Sequence, residues 1–309
     1  MSNHPFLVKF RGVRGGYPMP GPSTLKYGGN TTCLEVRAGG HLIIFDAGTG
    51  IIDLGKEMMQ AYQADGVPLR ATMLMTHFHM DHVQGLTFFT PILNAACQLH
   101  FFGPQPYETT TMEAAINQVF IPPYASLRLE ELLSQRHFTH VRGGDRILLT
   151  DPGSPPRYLT IYEDKEPVPD DAVMISIHRG YNHPRNGILV YRIDYRGHSL
   201  VFATDVEGYV GGDRKLINFA RDADLLVHDA EYDEADYADG TTIKQGWGHS
   251  TWRMATDIAQ AANVKYLALT HHSPMHDDTY LEAMERKAQA HFPATFMAQE
   301  GKVMDLMDT

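Results

Sequence analysis

The 309-residue chain predicts an α/β fold with two sheets facing one another, on three observations. Short β-like apolar runs alternate with stretches of helical spacing, and no linker-like segment separates them, so 1–309 reads as a single domain. At 43% hydrophobic the chain can bury a large core. Two pairs of segments also echo each other: "HLIIFDAGTG" at 41–50 with "SLVFATDVEG" at 199–208, and "MLMTH" ending at His77 with "LALTH" ending at His271. Each is a strand that delivers an Asp or a His at its end.

The front half reads as a sheet. β-like runs over 7–13, 33–37, 41–45 and 72–75 are punctuated by Gly and Pro. Residues 104–140 differ: helical spacing over 112–120 is followed by "IPPY" and the amphipathic "LRLEELLSQR", which reads as an inserted helical flap over the sheet edge. Strand-like runs resume at 172–177, 188–193, 199–203, 224–227 and 265–269, with helices expected over 214–221, 251–262 and 279–290.

Composition narrows the function. A formal net charge of −11 argues against a protein that grips long polyanions, because such binding is carried mainly by Lys and Arg. Cys33 and Cys97, far apart, give neither a disulfide framework nor a cysteine metal motif. "MSNHPFLVKFRGVRGG" lacks an apolar leader and no stretch is long enough to span a membrane, so a cytoplasmic enzyme is expected.

The chemistry concentrates in "MLMTHFHMDHVQG" at 73–85. A strand sends alternate residues to opposite faces, so His77 and His79 share one. A turn after His79 would bring Asp81 and His82 to a neighbouring point, offering imidazoles and a carboxylate from two directions. A solvated, histidine-rich loop is the bland alternative, and the density of ligand-type residues speaks against it. Farther on, His183 in "YNHPRNGILVYRI" competes with His178 in "ISIHRG", Asp205 follows an apolar strand, and His271 precedes His272. His228 in "LLVHDAEY" reads equally as a supporting or a structural histidine, Asp46 and Thr76 as partners of metal-binding histidines, and His100, His137 and His140 as bland. "GGN" at 28–30 lacks a phosphate-loop lysine and reads as tight backbone near the site.

"THFHMDH" resembles the metal-binding signature of the metallo-β-lactamase-fold hydrolases, and "DAG" at 46–48, the His before Tyr191-Arg192-Ile193, the strand-end Asp205 and the closing His271 come in that family's order. "GVRGGYPMPGP", "YGGNTTCLEV" and "GHST" at 248–251 are similar to its phosphodiesterase and tRNA-maturase-like branch. The resemblance runs from about Val8 to about Gly301 and implies a four-layer αββα sandwich with metals at one edge of the sheets. It implies one metal on His77, His79 and His183, a second on Asp81, His82 and His271, and Asp205 bridging. Zinc is the first choice for such ligands, with manganese or iron as alternatives.

The function expected is that of a dinuclear phosphodiesterase acting on a small nucleotide or other small phosphodiester through a metal-bound hydroxide. Asp81 and His249 are its catalytic residues, His249 assisting the leaving alcohol. The chain passes directly from Ile193 to Ser199, leaving no room for the long arm of tRNA maturases, so no long nucleic acid is expected as partner; a homodimer is allowed. The alternatives are a lactonase or thioesterase, an RNA-processing nuclease and, last, a metal-binding sensor without turnover.

Overall fold

The computed structural model describes residues 4–107, 111–163, 168–209 and 211–308. The first half forms strands β1 (Leu7–Gly12), β2 (Cys33–Ala38), β3 (His41–Phe45), β4 (Arg70–Leu74), β5 (Gln98–Gly103) and β6 (Gln135–His140), with helices α1 (Ile51–Asp65), α2 (Met80–Val83) and α3 (Met112–Asn117). The second half adds β7 (Arg146–Leu149), β8 (Arg157–Leu159), β9 (Val173–Gly180), β10 (Ile188–Tyr195), β11 (His198–Ala203), β12 (Leu225–Asp229), β13 (Tyr266–Thr270), β14 (Thr295–Met297) and β15 (Val303–Asp305). Its helices are α4 (Arg214–Phe219), α5 (Glu234–Tyr237), α6 (Trp252–Ala262) and α7 (Asp278–His291).

Among the described residues these strands make two sheets, ordered β15-β1-β2-β3-β4-β5-β6 and β14-β13-β12-β11-β10-β9-β7-β8. Strand alternation gives each sheet two apolar faces. The inner faces share one core, in which Phe10, Phe45 and Ile43 meet Tyr191, Phe202 and Val227. The Phe45 and Phe202 rings, 4.9 Å apart, tie the sheets together, a contact worth about 1 kcal/mol beyond its buried area. The outer face of the first sheet is covered by α1 through Ile51, Leu54 and Met58, and that of the second by α4, α6 and α7 through Leu216, Ile258 and Leu281. The result is the four-layer αββα arrangement. Both cysteines are buried and free.

Parallel pairing decides where a site can form. β3 to β6 run parallel to one another, as do β11 to β14, so the loops after β3, β4, β11, β12 and β13 emerge at one edge. Open α/β sheets place ligands at such carboxyl ends. The echoed segments are those strands, and Asp46, Asp205 and His271 all carry left-handed backbone, with φ of 54°, 53° and 61°. Each chain therefore turns sharply just past its strand and keeps the side chain over the edge.

The helical flap expected over 104–140 is corrected by the structure. Among the described residues of this stretch, α3 and a short turn after it are helical; "LRLEELLSQR" forms one tight turn, Leu129–Glu131, and then β6, which extends the first sheet beside β5. Leu129 and Leu132 are buried while Leu133 is exposed, and the Arg136 guanidinium takes the carbonyls of Leu129, Leu132 and Ser134, which a helix would have used itself. The passage from β10 to β11 is a tight hairpin with Arg196 and Gly197 at positive φ, which leaves no room for an inserted arm there. No helix among the described residues is long and apolar enough to cross a membrane.

Candidate metal centre

β4 ends at Leu74, and the extended chain beyond it carries His77 and His79 over the edge before α2 turns Asp81 and His82 back toward them. Tyr191 fixes this exit by donating its hydroxyl to the Met75 carbonyl at 2.8 Å. From the other sheet come His183, after β9, Asp205, after β11, and His271, after β13. Two groups hold separate residues, His77, His79, His183 and Asp205 in one and Asp81, His82 and His271 in the other, and a third combination, Asp205 with His249 and His271, overlaps both. His178 lies elsewhere, its ring against Phe219 at 5.4 Å.

Asp205, 1% exposed, faces both groups. Its Oδ1 lies 3.7 Å from His77 Nε2, 3.9 Å from His183 Nε2 and 3.3 Å from His271 Nε2, while its Oδ2 lies 3.2 Å from His82 Nε2. Asp81 Oδ2 stands 3.3 Å from His82 Nε2 and 3.2 Å from His271 Nε2. In the first group, His79 Nδ1 and His183 Nε2 are 3.1 Å apart.

Each buried ring is oriented by a bond on its far nitrogen. His82 Nδ1 donates to Asp46 at 2.8 Å, His183 Nδ1 to the Gly248 carbonyl at 3.1 Å and His271 Nδ1 to Glu231 at 3.1 Å. Asp46 also accepts from the Thr76 amide and hydroxyl, at 2.8 and 2.7 Å, and that hydroxyl lies 3.1 Å from His77 Nδ1. Such outer bonds set the tautomer and leave Nε2 facing inward. Two glycines make room: a Cβ at Gly15 would lie 2.2 Å from the His271 ring, and one at Gly248, 2.2 Å from His183 Nδ1. The Gly16 amide donates to Asp81 at 2.9 Å, which brings the "GVRGG" loop to the site.

The donor set fits divalent cations. The Nε2 atom of His77 is buried with no hydrogen-bond partner, a costly state for a polar group unless something else occupies its lone pair. Burial holds the His77 imidazole well below its ordinary range and His183 at about 4, so both offer neutral nitrogen. For His82 and His271 burial acts the same way but is outweighed by Asp205 with its neighbouring carboxylates, which push both well up. Burial would raise Asp81 and Asp205, yet the surrounding imidazoles hold both well down. Two carboxylates among five imidazoles are what a pair of divalent ions would balance.

His249, at the turn into α6, stacks on His271 with ring centres 4.8 Å apart, and its Nδ1 donates to Asp229 at 2.8 Å. Burial would lower this imidazole, but Asp229 and then Glu231 reverse that and hold it at about 9. Asp229 accepts in addition from the amides of Asp205, Glu231 and Ser250. It thus ties the β11, β12 and α6 turns together, a part that sequence reasoning missed along with Glu231. His228, one residue earlier, is fully buried and bonded through Nδ1 to its neighbour's carbonyl at 2.7 Å, and it belongs to none of the candidate metal groups among the described residues. His100 and His137 stack on each other, and His140 accepts from the Met112 amide.

His183→Ala is expected to empty or loosen the first group, lowering metal content by about one ion per chain, while His178→Ala leaves it unchanged. Elemental analysis of the dialysed variants reads the difference, and the reverse pattern would show His178 to be the ligand.

Comparison with known proteins shows the family and the fold. The Beta-lactamase superfamily domain model matches residues 41–272. Ribonuclease Z of Thermoplasma acidophilum is 27% identical over 314 residues, covering 95% of this chain and 94% of that one. Ribonuclease Z of Brevibacillus brevis is 39% identical over 108 residues, but the match spans 34% of this chain and only 31% of that one. Among solved structures, the metallo-beta-lactamase fold protein YhfI of Bacillus subtilis superposes with a TM-score of 0.64 at 17% identity, covering 97% of this chain and 99% of that one. The short form of human tRNase Z gives 0.60 at 20%, covering 97% and 99%. A diphosphatase of the PhnP family gives 0.60 at 14%, covering 97% of each chain.

Proposed function

We propose, for a chain that belongs to the beta-lactamase superfamily and is a metal-dependent hydrolase of the phosphodiesterase kind, that its substrate is a small phosphodiester, a nucleotide or another small organic diester, hydrolysed in the cytoplasm. The observation that carries the reading is Asp205 facing both histidine groups beside a protonatable His249.

In this reading His77, His79 and His183 hold one ion, Asp81, His82 and His271 the other, and Asp205 both. Zinc suits the imidazole-rich set, with manganese or iron as the alternatives. Two such ions supply Lewis acidity toward the phosphoryl oxygens and an activated water at neutral pH. The chain's own contribution is orientation and a proton. Asp46, Gly248 and Glu231 fix the histidine rings. Asp229 holds His249 by Nδ1, so that Nε2–H is free to protonate the departing oxygen, the role of a general acid.

A small substrate is supported by the tight β10–β11 hairpin, which offers no arm for a folded RNA, and by the net charge of −11. A second reading, RNA as the phosphodiester, is favoured by the near full-length alignment with a ribonuclease Z. Lactones and thioesters are the third class. A turnover screen of metal-loaded protein against small phosphodiesters, a tRNA precursor, lactones and thioesters tests this: the small diesters should be cleaved fastest. Preferred cleavage of the RNA, or of a lactone or thioester, would overturn the reading.

A further inference from the structure

Two recesses open beside the histidine cluster and meet at a ridge made by His79 and Pro184. The first, of about 380 Å³, is polar at its base: Asp81, Asp205, Glu231 and His249 line it, with half-exposed Trp247 at its rim. The second, of about 510 Å³, lies on the other side of His79, between α3 with the turn after it and the 184–187 turn. Among the described residues that line it there is no carboxylate. Its walls are Phe78, Met80, Pro104, Pro106, Ala115 and Val119, while Gln118 and Arg185 supply polar points.

A phosphorus atom at the cluster would sit between the two recesses, so the two ester arms of a diester would point into different surroundings. His249 belongs to the carboxylate-lined recess alone. We infer that the arm in that recess, beside His249 and Trp247, leaves as the alcohol, and that the apolar recess under α3 holds the arm that stays on phosphorus, a planar group of aryl or nucleoside size. The inference rests on the phosphodiester reading above. In the step, a water oxygen becomes bonded to phosphorus as one of its O–H bonds breaks, and the released proton passes to solvent, from which His249 is reprotonated after turnover. The bond to the leaving oxygen breaks with its electron pair, and a proton from His249 reaches that oxygen. The products are an alcohol and a phosphomonoester carrying the retained arm, and nothing is oxidised or reduced.

The size of the recess supports the choice of arm. Cavities of roughly 300–1,000 Å³ enclose small organic ligands, and burying a ring against apolar walls contributes at about 25 cal/mol per Å². A methyl group would leave most of the recess unfilled. The retained arm should therefore control selectivity even when the leaving group is held constant.

The experiment uses the metal-loaded protein and two diesters that both release p-nitrophenolate, one retaining thymidine and one retaining methyl. Wild type should favour the thymidine diester in kcat/KM by at least about tenfold, a discrimination within the range of apolar pockets. Val119→Trp or Ala115→Phe, which fill the recess, should bring that ratio to within about threefold of unity. Trp247→Ala, in the other recess, should preserve the ratio. The ratio is read within one variant, so a partly misfolded protein lowers both rates without moving it, and the second filling variant serves if the first does not fold. No preference in wild type, or a ratio unmoved by both filling variants, would overturn the assignment while leaving the phosphodiesterase reading intact. Failure to cleave either diester, with turnover of a lactone or thioester, would overturn both.

Discussion

Asp205→Ala should abolish turnover, with a loss on the order of 10³-fold or more, and should weaken the binding of both ions. One buried carboxylate reaches all four of His77, His82, His183 and His271, so no neighbour can take over its position. The backbone at Asp205 is left-handed, with φ 53°, so alanine adds strain of about 1–2 kcal/mol that asparagine, which tolerates this region, largely avoids. Asp205→Asn separates the two effects. It should fold and melt close to wild type yet still lose most activity, because a neutral amide cannot balance two cations. Steady-state rates, metal content and thermal melts read this together. Near-normal turnover with two ions retained would reduce Asp205 to a residue that shapes a turn.

His249→Ala should keep both ions and lose about 10²- to 10⁴-fold on a diester whose leaving group is an alkyl or nucleoside alcohol. It should lose far less on a nitrophenyl diester, since a nitrophenolate departs nearly unaided. The geometry behind this is the Asp229 bond to Nδ1, which holds the ring protonated and aims its other nitrogen outward. Equal losses on the two substrates would assign His249 to binding the phosphoryl oxygens. His249 also falls within ligand distance of Asp205 and His271, and loss of an ion from His249→Ala would make it a ligand.

The clustering of these side chains was legible in part because they are ligand types at strand ends, a place where apolar runs stop abruptly. "THFHMDH" is dense enough to read locally, and Asp205 and His271 repeat the same device one sheet over. Asp46 and Thr76 were legible as supporters for the same reason. Asp229 was not, although "LLVHDAE" has the same form. The histidine beside it, His228, is the stronger metal signal in the sequence, whereas alternation along β12 points His228 and Asp229 to opposite sides. The contributions of Gly15, Gly16 and Gly248 depend on close approach between distant segments, which no local pattern reports.

The fold was less legible at its first edge. Helix α1 carries Ile51, Leu54, Gly55 and Met58 buried at helical spacing, a signal that the Gly-rich "DAGTG" before it obscures. β6, "QRHFTH", reads poorly as a strand because it is an edge strand that alternates polar and half-buried residues. Only its pairing with β5 makes it one, and that is a tertiary fact. The leucines of "LRLEELLSQR" imitate a helix because a tight turn with two buried leucines three residues apart has the same spacing.

Metal stoichiometry measured alongside activity tests the central claim most directly. Protein stripped by a chelator should be inactive toward phosphodiesters and should take up two divalent ions per chain on titration. Activity should return as the second ion binds, and elemental analysis of the dialysed, reactivated enzyme should find both. Undiminished phosphodiester hydrolysis by protein shown to contain no metal, or full activity with a single ion bound, would contradict the account.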